Sequence, residues 1–363
     1  MRTILLGTLI DRLGEYPDNY FHSVPTDPPY GLKFMGKKWD ARVPSVREWE
    51  EVARVLRPGG FVGSFGGTRT YHRMVVNMED AGLEIRDMLS WIYASGFPKS
   101  MNLGEGRGTG LKPANEPICL ARKPLEGTLI QNLAKYGTGG LNIDACRIPF
   151  VSEADKESAI YGTGIDITGG NYNSGTKTAE RKIKPNELGR WPANLILDID
   201  TGTILDIQSG VLKSGSGNSR RTSGIGYYKP NIYGTDNRED GTELTSYGDE
   251  GGASRFFYCA KPTQNERNFG MGEDSNDHPT VKPISLMRYL VRLITPVGGI
   301  AVDPFAGSGT TGCACEFEER DYVLIDKEPA HIPIIEKRTR YWSVIAKRER
   351  RQEFINQSQL NLF

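Results

Sequence analysis

Apolar positions divide this chain into three regimes. Thr3–Leu6 is a short apolar run of the kind that forms a buried strand, and after a polar stretch a second apolar run approaches Pro25. Val46, Trp49, Val52, Ala53 and Leu56 then recur at helical spacing, which predicts a helix burying one face. Arg57-Pro58-Gly59-Gly60 is expected to stop it, with Phe61–Phe65 as the next strand. Met88–Tyr93 reads as another, broken by Gly96-Phe97-Pro98. Strand alternating with helix argues for an α/β sheet.

From about 101 to 255 the periodicity fades, apart from short pieces near Pro117–Arg122 and Asn194–Leu197. Stretches such as Gly169-Gly170-Asn171-Tyr172-Asn173-Ser174-Gly175 have no face to bury. Two readings stand: a flexible surface insertion, or an adaptable recognition surface that orders on a partner. Regularity returns with Met287, Leu290, Val291 and Ile294, a helical stripe closed by Thr295-Pro296. Gly299–Val302 is then a strand, Thr310–Phe317 a helix, and Asp321–Ile325 a strand ending at Asp326. Such a βαβ unit needs a parallel sheet to bury it.

Composition sharpens this division. Of 43 glycines in 363 residues, 25 lie within 101–255, so the middle is the loop-rich part. Lys+Arg and Asp+Glu number 45 each; the zero net charge excludes attraction to polyanions through overall charge, though not through local clusters. Five cysteines, an odd number without neighbouring histidines, suit small buried residues better than a disulfide scaffold or a metal site, so no metal is expected. The N-terminal apolar run turns polar at Asp11, too soon for a secretory signal, and no run approaches a membrane span. A soluble protein of a reducing compartment is expected.

Two segments carry candidate chemistry. Asp303-Pro304-Phe305-Ala306-Gly307-Ser308-Gly309-Thr310-Thr311 occupies the turn between the first strand and the helix of the βαβ unit. Its glycines let backbone approach a ligand at the carboxyl edge of the sheet, and Asp326, at the end of the next strand, is placed for ribose hydroxyls. A third glycine and a phosphate-loop lysine are missing, which favours a nucleoside cofactor without a pyrophosphate. Glycine in a tight turn also has a purely steric use. The second segment, Thr26-Asp27-Pro28-Pro29-Tyr30, is stiffened by two prolines and, by itself, is equally a rigid turn. Chemically, the Asp27 carboxylate beside the Pro28 carbonyl makes two acceptors, matched to the two hydrogens of an exocyclic amine, with the Tyr30 ring available to stack on a base.

Asp27-Pro28-Pro29-Tyr30, His278-Pro279-Thr280-Val281-Lys282-Pro283 and the Asp303–Thr311 segment together resemble the S-adenosylmethionine-dependent DNA amino-methyltransferases. The order, catalytic motif first and cofactor motif last, resembles their β class, usually adenine-N6 enzymes. Gly189-Arg190-Trp191-Pro192-Ala193-Asn194 and Ser254-Arg255-Phe256-Phe257-Tyr258-Cys259-Ala260-Lys261 look like methylases common in phages and prophages. The likeness covers most of residues 1–345 and thins over 150–188 and 200–250. It implies an α/β, Rossmann-like methyltransferase sheet with circularly permuted motif order and a loop-rich target-recognition insertion. By that likeness the catalytic half is 1–100, the insert 101–255, the cofactor half 256–345, and 346–363 a basic tail.

The resemblance assigns catalysis to Asp27, Pro28, Pro29 and Tyr30. Cofactor contacts fall to Asp303, Phe305, Gly307, Gly309, Thr310 and Asp326, with Lys282 near the cofactor's carboxylate end. Two departures stand out: Gly7-Thr8 where the family often has Gly-Asp, and the shorter Asp326 where Glu is common. DNA contacts are expected from Lys112, Arg122, Lys123, Arg181, Lys182 and Arg190, each also readable as solvated loop surface, and from Lys337–Arg351 with seven basic residues against one Glu. The terminal Gln359-Leu360-Asn361-Leu362-Phe363 resembles the peptides by which bacterial replication proteins dock on the sliding clamp; a frayed terminus is the alternative. Implied partners are DNA, the clamp and, optionally, a second copy as homodimer. The implied activity is methylation of adenine N6 in DNA, of the restriction-modification kind, in a bacterial cytoplasm. Cytosine-N4 methylation is the nearest alternative, and a cofactor-retaining nucleic-acid-binding protein without turnover is the alternative from another class.

Overall fold

A computed structural model describes residues 1–33, 36, 38–96, 100–158, 161–162, 182–183, 185–213, 217–220, 243–246, 250–260, 266–272, 274–276, 278 and 280–360. Arg181, Lys261, Pro279, Asn361, Leu362 and Phe363, with the side chains of Lys182, Gln359 and Leu360, lie outside the described residues. The chain divides into two compact units. The larger comprises Met1–Cys146, Pro192–Thr201 and Phe257–Phe363, the smaller Arg147–Trp191 and Gly202–Phe256.

The larger unit is built on nine strands: β1 Arg2–Leu6, β2 Phe21–Thr26, β3 Leu56–Phe65, β4 Glu84–Ile92, β5 Asn115–Arg122, β6 Leu195–Asp198, β7 Tyr258–Ala260, β8 Ile300–Asp303 and β9 Asp321–Asp326. They form one sheet in the order β1-β9-β8-β2-β3-β5-β4-β6-β7. Every neighbouring pair is parallel except the two that involve β5, which runs antiparallel between β3 and β4. Alternation along the strands sorts the core onto two faces. Phe61, Ile118, Leu120, Ala301 and Leu324 face one cluster, built on Leu286, Leu290 and Ile294 of the helix Ile284–Ile294. Val62, Cys119, Ala121, Val302, Val323 and Ile325 face the other, built on Trp49, Val52 and Val55 of the helix Val46–Val55 and on Met74 and Met78 of Tyr71–Asp80. A Val, Leu, Ile, Phe or Met side chain wholly withdrawn from water contributes about 1.5–3 kcal/mol. A Cβ at Gly63 would meet Leu290 Cδ1 at 2.9 Å, so glycine there lets the helix settle on the sheet.

Two differences from the sequence expectations have physical causes. Leu56 opens β3 rather than closing the preceding helix, and Arg57–Gly60 is a bulge inside the strand. Gly59 there has φ +77, its N–H donates to Lys123 O (3.0 Å), and Asn132 Nδ2 donates to Pro58 O (2.9 Å). The fragments near Pro117–Arg122 and Asn194–Leu197 belong to the central sheet as β5 and β6, so 101–146 is part of the larger unit rather than of an insert.

In the smaller unit, short antiparallel pairs join Tyr161–Gly162 to Lys182–Ile183, Leu212–Lys213 to Glu250–Gly251, and Gly217–Arg220 to Glu243–Ser246. A charge cluster organises its described part. Asp155, fully buried, takes two bonds from the Arg190 guanidinium (2.6 and 2.8 Å) and one from Arg255 Nε (3.1 Å). Arg190 also lies over the rings of Phe150 and Phe256. No helix among the described residues is long and apolar enough to cross a membrane.

Candidate active site

Strands β8 and β2 are neighbours, with Ala301 opposite Ser23. From them the chain proceeds to opposite sides, β8 toward β9 and β2 toward β3. Such a reversal opens a crevice at the carboxyl ends of parallel strands. Both chemistry-bearing segments leave the sheet there.

Asp303 stitches the two together. Its carboxylate accepts hydrogen bonds from Thr26 Oγ1 (2.6 Å), Thr311 Oγ1 (2.5 Å) and Phe305 N (3.1 Å). Burial pushes its carboxyl up to about 6, and these bonds only partly offset that. Its oxygens are therefore committed inside the protein, which makes Asp303 a residue that shapes the loop rather than one offered to a ligand. Gly307 and Gly309 follow with φ +54 and +74, a backbone that L side chains rarely adopt. A Cβ at Gly307 would approach His278 Nε2 to 2.9 Å, and one at Gly309 would meet Ile335 Cγ2 at 2.9 Å. The loop is closed from beyond by Asp326, whose Oδ2 accepts Gly307 N (2.7 Å) and whose Oδ1 accepts Glu328 N (2.8 Å) and faces His331 Nδ1 (3.0 Å). Gly7 and Thr8 sit beside it: Gly7 N donates to Asp326 O, and Thr8 caps the helix Leu9–Leu13. Arg338 is fully buried, its NH1 donating to Ser308 O (2.6 Å), Ser308 Oγ (2.8 Å) and Thr310 Oγ1 (3.1 Å).

The second half of the site is a polar cluster. Tyr30 Oη lies 2.8 Å from Asp27 Oδ1 and 3.1 Å from Glu116 Oε2. Lys282 Nζ donates to Asp27 Oδ2 at 2.6 Å, and lies 3.2 Å from both Glu116 Oε2 and Tyr30 Oη. The backbone after Asp27 is pinned: Asp40 accepts Gly31 N (2.8 Å) and Leu32 N (3.1 Å), and Thr70 Oγ1 donates to Tyr30 O (2.6 Å). Burial, then Asp27 and Glu116, holds the Tyr30 phenol well above its ordinary range, so it keeps its proton. Burial pulls the Lys282 ammonium down, but the two carboxylates outweigh it and the net shift is upward. His278, in turn, is pushed down to about 4 by burial and by His331, so it is neutral at pH 7.

One cavity of about 1570 Å³, lined wholly by the larger unit, receives both halves. Asp27, Pro28, Pro29, Tyr30, Lys282, Asp303, Phe305, Gly307, Thr310 and Asp326 all border it; Gly309 sits behind, against Ile335. Trp91, Tyr93 and Glu116 add a wall that the sequence did not announce. A glycine cradle with no room for a Cβ at Gly307 and an acid at the next strand end suit a nucleoside-bearing ligand, and the space beyond suits a second planar group. Among the described residues no cluster of three or more His, Cys, Asp or Glu suited to a metal occurs.

The expected DNA contacts fare unevenly. Lys112 borders the cavity, its ammonium on Ala94 O. Arg122 and Lys123 lie at the opposite end of the sheet, because β5 runs antiparallel. There Arg122 is nearly buried against Glu84 (2.5 Å), and Lys123 caps Leu56 O (2.8 Å) and binds Asn19 Oδ1 (2.7 Å). Arg190 is spent on Asp155 within the smaller unit. Within Lys337–Arg351, Arg338 holds the glycine loop, Lys337 pairs with Asp274, and Arg350 caps Glu316 O (2.8 Å), so these three serve structure.

The fold and site define a class: a doubly wound α/β domain whose switch-point cavity joins a glycine-loop cradle to the carboxylate of Asp27. The chain belongs to the N6_N4 DNA methylase family, whose model matches residues 21–337. Among curated proteins it resembles the Type II methyltransferase M.HindIII of Haemophilus influenzae, 24% identical over 299 residues, 78% of this chain. It also resembles M2.MboI of Moraxella bovis, 32% identical over 80 residues, 22% of this chain and 29% of that protein. The chain spans 64% of the length of M.HindIII. Among solved structures, the PvuII DNA methyltransferase (cytosine-N4-specific) shares the fold, with a TM-score of 0.50 and 14% identity over 96% of this chain and 93% of that one.

Proposed function

We propose that this protein transfers a methyl group from S-adenosylmethionine to the N6 amine of adenine in DNA. The observation that carries the reading is the Asp27 carboxylate, braced by Lys282 and Tyr30, in one cavity with the Gly307 cradle. Family membership supports amine methylation of DNA, and the order of the motifs supports adenine.

S-adenosylmethionine, when bound, supplies a methyl group made electrophilic by a positively charged sulfur. Phe305, Gly307, Thr310 and Asp326 are the residues that would hold it. The acceptor side needs more help, since an aromatic amine's lone pair is delocalised into its ring. Hydrogen bonds from the amine to Asp27 and to the Pro28 carbonyl favour the pyramidal form, and they hold the nitrogen in line with the methyl. As the nitrogen gains the methyl it gains positive charge, which the Asp27 carboxylate stabilises, and Asp27 accepts the proton the nitrogen sheds. In duplex DNA the base must leave the stack, and the Tyr30 ring, resting on Gly67, receives it.

Transfer of labelled methyl to duplex DNA tests this. Asp27→Ala should abolish transfer while equilibrium dialysis shows cofactor binding intact; full transfer by that variant would refute the assignment. The clamp is the proposed partner of the C-terminal peptide, acting as a tether on bacterial DNA in the cytoplasm. Equal capture on immobilised clamp of the full chain and of a chain lacking its last five residues would refute that role. A homodimer rests on the resemblance alone, and sedimentation velocity reads it directly.

A further inference from the structure

Lys282, expected from its motif to face the cofactor's carboxylate, is instead bonded to the carboxylate that holds the amine. Three elements converge there: the turn after β2 with Asp27 and Tyr30, β5 with Glu116, and the segment leading into Ile284–Ile294 with Lys282. Resting on the amine-methylation reading above, we propose that Lys282 is a positioning residue, which keeps Asp27 a hydrogen-bond acceptor by neutralising the second carboxylate, Glu116, that shares the Tyr30 hydroxyl with it.

The Tyr30 hydroxyl has one proton and two carboxylates within reach, at 2.8 and 3.1 Å, so one of the two is always without it. Two carboxylates within reach of one hydroxyl repel one another, which favours a proton on one of them unless a cation lies beside the pair. A proton on Asp27 would present a donor to the amine's own N–H and end recognition. The Lys282 ammonium, nearly buried and within 2.6 and 3.2 Å of the pair, removes that conflict. It has few alternatives, lying 4.9 Å from the centre of the Phe65 ring and 5.5 Å from that of Tyr30.

Other titratable groups facing the cluster do not substitute for it. His278 feels Asp27 but is neutral at pH 7. Asp303 feels it too, with its own oxygens committed to Thr26 and Thr311. Tyr93, beside Glu116, is raised to about 12 by burial and by that carboxylate, and stays neutral.

The test is single-turnover transfer of labelled methyl to duplex DNA by the full chain between about pH 3.5 and 9.5, with cofactor affinity from equilibrium dialysis. Lys282→Met should carry its acid limb about 1–3 pH units above wild type, so that transfer is slowed by up to about tenfold at pH 6 and recovers as pH rises. Its cofactor affinity should stay within about twofold. Adding Glu116→Gln should restore most of the rate, because the second carboxylate is gone, and Lys282→Arg should keep the wild-type limb. Should Lys282→Met fail to fold, Glu116→Gln alone decides: its acid limb should move to lower pH. An unshifted limb in Lys282→Met, a double variant worse than the single, an upward shift in Glu116→Gln, or a tenfold loss of cofactor affinity would each overturn the proposal. A wild type that binds cofactor and methylates nothing sinks the reading of function itself, and this inference with it.

Discussion

Replacing Asp303 with asparagine isolates the charge at the stitch between the two halves of the site. The carboxyl is raised from 3.8 to about 6 in the folded chain, burial being the main cause. For an acid shifted upward, the folded state binds more protons than the unfolded state between those two values. Stability from this group is therefore fully present below about pH 4 and is lost as pH rises through about 6. A shift of about 2 units corresponds to about 2–3 kcal/mol between pH 4 and 7. Asparagine fits the same space and keeps the acceptor for Phe305 N–H, while its amide donates to a threonine hydroxyl that previously donated. Urea unfolding at pH 4 and pH 7 measures it. Wild type should lose about 2–3 kcal/mol relative to Asp303→Asn over that interval, since all other groups titrate alike in both. Parallel stabilities across the interval would refute the assigned charge state.

Two further substitutions probe the scaffold. Gly309→Ala must adopt φ +74 and press on Ile335, costing about 1–2 kcal/mol for the backbone and about 1–3 kcal/mol for the crowding; thermal unfolding should shift down and cofactor affinity fall, and an unchanged melting temperature would contradict the geometry. Asp155→Asn removes the buried negative charge that the Arg190 and Arg255 guanidiniums share, costing about 3–5 kcal/mol; hydrogen exchange should quicken over 185–191 while β2 stays protected, and unchanged exchange there would remove the cluster's structural role.

Local signals made much of the third regime legible. The strand, glycine turn, helix and acid read from residues 299–326 are Ile300–Asp303, the loop, Thr310–Phe317 and Asp321–Asp326, displaced by a residue at most. Apolar period and punctuation sufficed because each element is bounded by its own caps and turns. What stayed hidden was non-local. Glu116 enters the site only because β5 inserts antiparallel between β3 and β4, a pairing that no short window contains. Lys282 meets Asp27 across 255 residues of chain. Arg338 stood inside a basic run that reads as solvated or phosphate-seeking, yet burial against Ser308 and Thr310 makes it part of the glycine loop's support. Arg122 and Lys123 were carried to the wrong end of the sheet by the direction of one strand.

These reassignments change how zero net charge fits a member of a DNA methylase family. With Arg122, Lys123, Arg190, Arg338 and Arg350 spent internally, five of the basic residues first marked for phosphates are engaged within the protein, and affinity for random DNA should be lower and less steeply salt-dependent than the full set would give. The methylated nucleoside that forms distinguishes adenine, cytosine and no activity. Mass spectrometry of nucleosides from the DNA of cells expressing wild type or Asp27→Ala reads it in one measurement. N6-methyladenine with the wild type and none above background with Asp27→Ala is the predicted result. N4-methylcytosine instead would correct the target base, and no methylated nucleoside from an expressed, cofactor-binding wild type would contradict the proposed activity.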